Sequence, residues 1–250
     1  MRCKGLVLFL AVVSIYACHP RISPDLGKPT TNAERLLSKL YERNKSLKTF
    51  KGIGRIRIWN ASGSQSARMA WLGEVGGRLR VEILGPSGRP LMKLAYDGAY
   101  LYHYSMDGEG VEKHKARNPG LGHVIDVPVS IRELVFFLGG RFPVYAHGRV
   151  QLRQTGPSRT DQLLLRRPWC GVIEKIALTQ DHTAVESVSI YDWRGLSYRA
   201  RLSEYRKRGD FSIPGRILIS NGESAGFEIR INRYWPNVDV KDRQFSISPA

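Results

Sequence analysis

Arg78-Leu79-Arg80-Val81-Glu82-Ile83 is the stretch that decides the fold. Successive side chains of a strand point to opposite faces, so its apolar residues share one side and its charged residues the other. One face is buried and one meets water, as in an antiparallel sheet covered on a single side. The pattern recurs outward in both directions. Arg55-Ile56-Arg57-Ile58 alternates upstream, and Phe227-Glu228-Ile229-Arg230-Ile231-Asn232 alternates near the end. Weaker alternation marks 92–96, 100–104, 150–153, 188–191, 198–202 and 216–219. Asp97-Gly98, Asp107-Gly108 and Asn221-Gly222 punctuate these segments, supplying the positive φ angles that tight hairpins need. The order is local and antiparallel, without βαβ alternation, heptads or a repeat.

Two helices interrupt it. Thr31-Asn32-Ala33-Glu34 is a capping box, in which Glu34 reaches back to Thr31. Leu36, Leu37, Leu40 and Leu47 follow at helical spacing, and the helix is expected to end before Lys51-Gly52. Ser130-Ile131-Arg132-Glu133 is a second box, with Ile131, Leu134, Val135 and Leu138 as an apolar side and Gly139-Gly140 as the stop. The stretch 117–127 reads as a loop. The expected class is mainly β with some helix: an incomplete, strongly curved antiparallel β-barrel whose open face is covered by amphipathic helices.

The amino terminus reads differently. Arg2 and Lys4 precede an unbroken apolar run from Leu6 to Val13, closed by Ser14-Ile15-Tyr16-Ala17-Cys18. A charged start, a short apolar core and a small residue before the cut describe a secretory signal. The run is shorter than the roughly 20 residues of a spanning helix. Residues 1–17 are read as signal peptide, 18–30 as a proline-containing tether and 31–250 as one domain. Of three cysteines, Cys3 would leave with the signal and only Cys170 would accompany Cys18, so no internal disulfide is expected.

The formal charge is +17, from 39 basic and 22 acidic residues. Export removes nucleic acid as the partner of such a chain. Two readings of the charge stand: an even solubilising spread, or a surface that attracts anionic lipid headgroups.

Several passages carry a family resemblance. Ala17-Cys18, with Ile15 three places before the cysteine, resembles the lipobox of bacterial lipoproteins; the alternative is an ordinary signal that happens to contain a cysteine. Residues 47–56, Met69-Ala70-Trp71, 78–88 and 127–140 resemble the LolA/LolB fold, and the chain as a whole looks like a LolB-type lipoprotein or a related lipoprotein family of unknown function. The resemblance implies a diacylglyceryl and acyl (palmitate-type) anchor on Cys18. It also implies a periplasm-facing place on the outer membrane, helped by His19 standing where an inner-membrane retention signal would have Asp. It implies an apolar half-barrel cavity for acylated cargo, delivered by a LolA-like carrier, in a monomeric lipoprotein-transport protein. LolB-type proteins carry an apolar tip on a loop that here reads Leu84-Gly85-Pro86-Ser87-Gly88-Arg89-Pro90. Ser87 stands near that tip and Leu91 follows the loop, which puts the insertion step in question.

Burying hydrocarbon is favourable by about 0.8 kcal/mol per CH₂, so a concave apolar face suits an acyl chain. The candidate lining is Ile56, Ile58, Trp71, Leu79, Val81, Ile83, Met92, Leu94 and Leu101 from the strands, with Leu134 and Leu138 from the covering helix. Each is also a plausible core residue; the claim is collective.

Catalytic patterns do not emerge. G-x-S-x-G, H-E-x-x-H and P-loop motifs are absent, and the six histidines show no paired metal spacing. His114 with Cys170 is short of the four ligands of a structural zinc. His123 with Asp126 lacks a neighbouring nucleophile. Tyr100, Tyr102 and Tyr104 share a strand face and suit either ligand stacking or cross-strand packing. The expectation is a binding protein without catalytic residues, metal or cofactor: an acyl-chain carrier or receptor, or alternatively an envelope scaffold.

Overall fold

The computed structural model describes residues 21–23, 26–106, 108, 110–155, 160–222 and 224–248. The signal-peptide segment and Cys18 lie outside them. Two compact units are present, one built from the start of the chain to Ser38 with Pro143–Ser197, the other from Lys39–Phe142 with residues 198–250. Helix α1 (Asn32–Tyr41) runs across that division. Its capping box forms as expected: Thr31 N donates to Glu34 Oε2 at 3.0 Å, and Glu34 N donates to Thr31 Oγ1 at 3.2 Å. It stops at Tyr41, so Leu47 is buried beyond the helix, in the approach to the sheet.

The larger unit holds β1 (Thr49–Asn60), β2 (Gly63–Glu74), β3 (Arg78–Leu84), β4 (Pro90–Tyr96), β5 (Tyr100–Ser105) and β6 (Val111–Lys115). After them come helices α2 (Gly122–Ile125) and α3 (Ile131–Leu138), then β14 (Arg216–Ser220) and β15 (Gly226–Pro236). Strand β11 (Gly195–Ser203) contributes its second half. Neighbours run β6-β5-β4-β3-β2-β1-β15-β14-β11, all antiparallel. The order does not return on itself, so the sheet is open, as expected. A small ribbon, β12 (Arg206–Arg208) with β13 (Phe211–Ile213), stands apart from it.

The register shifts twice: opposite Ile53/Gly54, where Asn232 is the extra residue of β15, and opposite Ile83/Leu84, where Leu91 is the extra residue of β4. An extra residue bends its strand and increases local twist. Two glycines make this possible. A Cβ on Gly52 would enter the Trp71 ring, which lies flat across β1, and a Cβ on Gly54 would strike the Arg230 carbonyl at the bulge.

Helix α3 packs on the inner face of β2 and β3. Its Ser130–Glu133 box is complete: Ser130 N donates to Glu133 Oε2 at 2.6 Å and Glu133 N to Ser130 Oγ at 3.3 Å. The expected amphipathic helix is buried nearly all round, since every residue except Arg132 is shielded. Phe136 and Phe137 widen the apolar stripe until no wet face remains. Two buried polar residues fix the helix. Glu133 also accepts from the Tyr198 hydroxyl. Asn44 donates through Nδ2 to the Gly139 and Ser212 carbonyls, at 3.0 and 2.8 Å, at the helix's carboxyl end.

The smaller unit is a four-strand antiparallel array, β7 (Arg149–Thr155), β8 (Thr160–Arg167), β9 (Gly171–Leu178) and β10 (Val185–Asp192), with β11 beginning after it. Glu174 in β9 is fully buried and accepts from Tyr145 N at 3.0 Å. Cys170 is disulfide-bonded, against the expectation that no internal disulfide forms.

Candidate functional site

The inner face of the larger unit carries the site. Alternation in β1, β3, β4 and β15 sends Ile56, Ile58, Val81, Ile83, Met92, Leu94, Phe227 and Ile229 inward, with Met69 from β2 beside them. Leu134 of α3 closes one side. Leu121, Val124 and Ile125, from α2 and the residue that precedes it, close another. Every lining side chain is apolar. The space among them is about 40 Å³, close to the share of one water molecule and below the few hundred Å³ of a typical ligand site.

Seven of the eleven residues put forward from the sequence therefore meet around one cavity: Ile56, Ile58, Val81, Ile83, Met92, Leu94 and Leu134. The other four are placed elsewhere. Leu79 and Leu138 are solid core, 1% and 0% exposed. Trp71 lies across Gly52, its Nε1 buried without a hydrogen-bond partner. Leu101 is half-buried on β5, opposite Tyr96 and His114, away from the cavity. Ser87 is exposed at the β3–β4 loop and Leu91 is 36% exposed beside it.

Leu121, Val124 and Ile125 lie in 117–127, a stretch whose glycines and polar residues give the sequence no helical signal. A four-residue helix is too short to show a 3.6 period. Phe227 and Ile229 were recognised as alternating but not assigned to the lining. The strand order supplies the reason: β15 pairs directly with β1, which places the last strand beside the first.

Helix α2 is held by its buried Leu121 and Ile125 and by polar contacts at its ends. Its first residue has no side-chain cap, and its carboxyl cap Asp126 takes a left-handed φ of 54°. Asn60 Nδ2 donates to Asp126 Oδ2 at 3.2 Å, and Asn221 Nδ2 donates to the Asp126 carbonyl at 3.0 Å. Val124 is 42% exposed. With Ile58 it also borders a second hollow of about 360 Å³, formed with Trp59, Asn60 and residues 62–65 of the β1–β2 hairpin. Val124 and Ile58 are thus the partition between an inner apolar cavity and an outer vestibule.

A third hollow, about 440 Å³, lies on the outer face among Lys51, Ile53, Leu72, Arg80, Trp235 and Gln244. The same face shows where much of the charge goes. Arg68, Arg55, Arg230 and Arg216 stand directly opposite one another across β2, β1, β15 and β14. The adjacent row runs Ser66, Arg57, Glu228, Leu218, Arg201. Glu228 is the single acid of the two rows and is shared by Arg216 and Arg230. The charge is a patterned surface, not an even spread.

The other candidates resolve into structure. Tyr100, Tyr102 and Tyr104 pack with Ala95, Val111 and Ile247, and Lys113 sits over Tyr100 and Tyr102 at 4.2 and 5.4 Å. The Asp126 carboxylate is engaged by Asn60; the His123 side chain lies outside the described residues. His114 stands 3.5 Å from Glu112. Among the described residues, no group of three or more His, Cys, Asp or Glu could hold a metal.

No protein-family model matches the chain, and no curated protein matches it in sequence. Solved structures do. The chain is similar to a LolA superfamily protein, NE2245, from Nitrosomonas europaea, with a TM-score of 0.59 at 16% identity, over 87% of this chain and 99% of that one. A domain described as an outer membrane lipoprotein-sorting protein, from Vibrio parahaemolyticus, gives 0.56 at 14% identity, over 86% and 97%. A DUF1329 family protein from Desulfovibrio piger gives 0.53 at 10% identity, over 85% and 95%. The likeness spans nearly the whole of each neighbour.

Proposed function

We propose that this chain, which shares the LolA-type fold, holds acyl chains of a lipid or lipoprotein between its inner sheet face and helices α2 and α3. The observation that carries the reading is the cavity whose thirteen lining residues are all apolar. In this reading α2 acts as a movable cover. The 40 Å³ space and the 360 Å³ vestibule join when α2 swings outward, which brings the volume into the range of ligand sites. Binding, not catalysis, is the role, and the chain acts as a monomer receiving cargo from a soluble carrier of similar fold; anchorage to the outer membrane through Cys18 requires that its thiol carry lipid and not the disulfide to Cys170.

A second reading is favoured by the small volume itself. A nearly filled interior suits an envelope scaffold that binds other proteins and takes up no lipid.

Mass spectrometry separates them. Organic extracts of the purified chain are expected to contain acyl lipid in proportion to protein. Leu134→Glu, which places a carboxylate in the cavity wall, is expected to abolish loading while circular dichroism still reports a folded sheet. Unchanged loading in the folded variant, or no lipid in either protein, favours the scaffold. The intact mass tests the anchor: a diacylglyceryl group on Cys18 is expected, and Cys18 found as an unmodified thiol or in a disulfide overturns that part.

A further inference from the structure

Two tryptophans of the smaller unit stand in water at hairpin tips. Trp169, between β8 and β9, is 103% exposed, and Trp193, between β10 and β11, is 79% exposed. Tryptophan carries more apolar surface than almost any residue, and folded proteins seldom leave it uncovered. Trp169 carries a second cost. Its φ is +66°, a left-handed conformation that bulky residues rarely adopt. Backbone strain of this kind persists where the surroundings enforce it, and it gathers at working sites.

The topology puts both tips at one end. Strands β8, β9, β10 and β11 are consecutive neighbours in the sheet. The β8–β9 and β10–β11 turns therefore fall on the same side, with the β9–β10 turn on the other. The two tips are two strand spacings apart, roughly 10 Å. The same end is basic. Arg166 stands near the end of β8, Arg149 opens β7 opposite it, and Arg194 follows Trp193 with its guanidinium 4.6 Å from that ring. Among the described residues Asp192 is the acid there, and its carboxylate already accepts from Arg194 N at 2.7 Å.

We infer that this end of the smaller unit is a membrane-surface anchor, in which Trp169 and Trp193 enter the headgroup region of an anionic phospholipid bilayer and the neighbouring arginines meet lipid phosphates. Indole rings favour that boundary, where an apolar body meets a polar edge. Anionic headgroups complement the arginine cluster. A soluble polyanion would account for the arginines but not for two uncovered indoles. The inference is independent of acyl binding in the larger unit.

The test uses the processed chain, residues 18–250 with Cys18→Ser, so that neither attached lipid nor the apolar run from Leu6 to Val13 contributes. Its binding to phosphatidylcholine vesicles, with and without phosphatidylglycerol, is measured by co-sedimentation and by the shift of tryptophan emission. Binding to the anionic vesicles with a blue shift is expected. The Trp169→Ala, Trp193→Ala double variant is expected to lose about a hundredfold in partitioning and most of the shift. Both sites are exposed, so its melting temperature should match the parent's. Leu134→Glu should partition like the parent, which separates this surface from the cavity. Equal partitioning of parent and double variant overturns the inference. So does absence of parent binding, or a parent dimer in light scattering that the double variant cannot form. Binding to a soluble polyanion but not to vesicles overturns it as well.

Discussion

Glu133 shows how much one buried side chain carries. Its carboxylate closes the capping box of α3 and accepts the Tyr198 hydroxyl, so it joins the cavity's covering helix to β11. Removing an acceptor from buried donors costs their desolvation, about 1–3 kcal/mol each. Glu133→Leu is expected to lower unfolding free energy by about 3 kcal/mol in urea titrations, and Glu133→Gln by less, because the amide retains one acceptor. Asp97 makes a prediction about pH. Its carboxylate accepts from Ala99 N and Tyr100 N, both at 2.8 Å, and from the Tyr102 hydroxyl at 2.9 Å. Burial pushes its pKa up, but these hydrogen bonds and Lys113 outweigh burial and hold it below the ordinary value. A carboxylate depressed in the folded state contributes stability above its unfolded pKa and loses it as pH falls through the folded one. Melting temperature is expected to fall with pH below about 4, and Asp97→Asn to flatten that limb.

At the scale of elements, α2 decides whether the cavity is a store or a seal. Asp126 sits at a positive φ that glycine adopts freely, and its side chain is one of the tethers. Asp126→Gly removes the Asn60 contact without adding backbone strain. It is expected to speed uptake of a fluorescent fatty acid in stopped-flow traces several-fold, with stability changed by about 1 kcal/mol or less. Unchanged uptake kinetics would mean that α2 does not gate the cavity. Elements differ in how plainly the sequence announces them. β1, β3 and β15 were legible because one face is wet, so burial alternates residue by residue. β8 and β9 were not. β8 buries Leu163, Leu164 and Leu165 in succession next to a register shift, and β9 buries Glu174. Both break the period of two. The cavity was legible where strands line it and hidden where α2 does, since four residues make little more than one turn.

Across the whole larger unit, the sheet's outer face opposes arginine to arginine in three successive strand pairs, Arg68–Arg55, Arg55–Arg230 and Arg230–Arg216. Like charges directly opposite one another weaken a sheet by some tenths of a kcal/mol per pair. Added salt screens repulsion between exposed charges. Melting temperature is therefore expected to rise with ionic strength, and Arg55→Thr to raise it at low salt while blunting the salt response; a protein whose stability falls with salt would contradict this. Such a face borrows its neutrality from the medium. Sulfate or phosphate in the buffer then acts as a missing structural part, and stability measured in chloride and in a multivalent anion should describe two differently braced molecules.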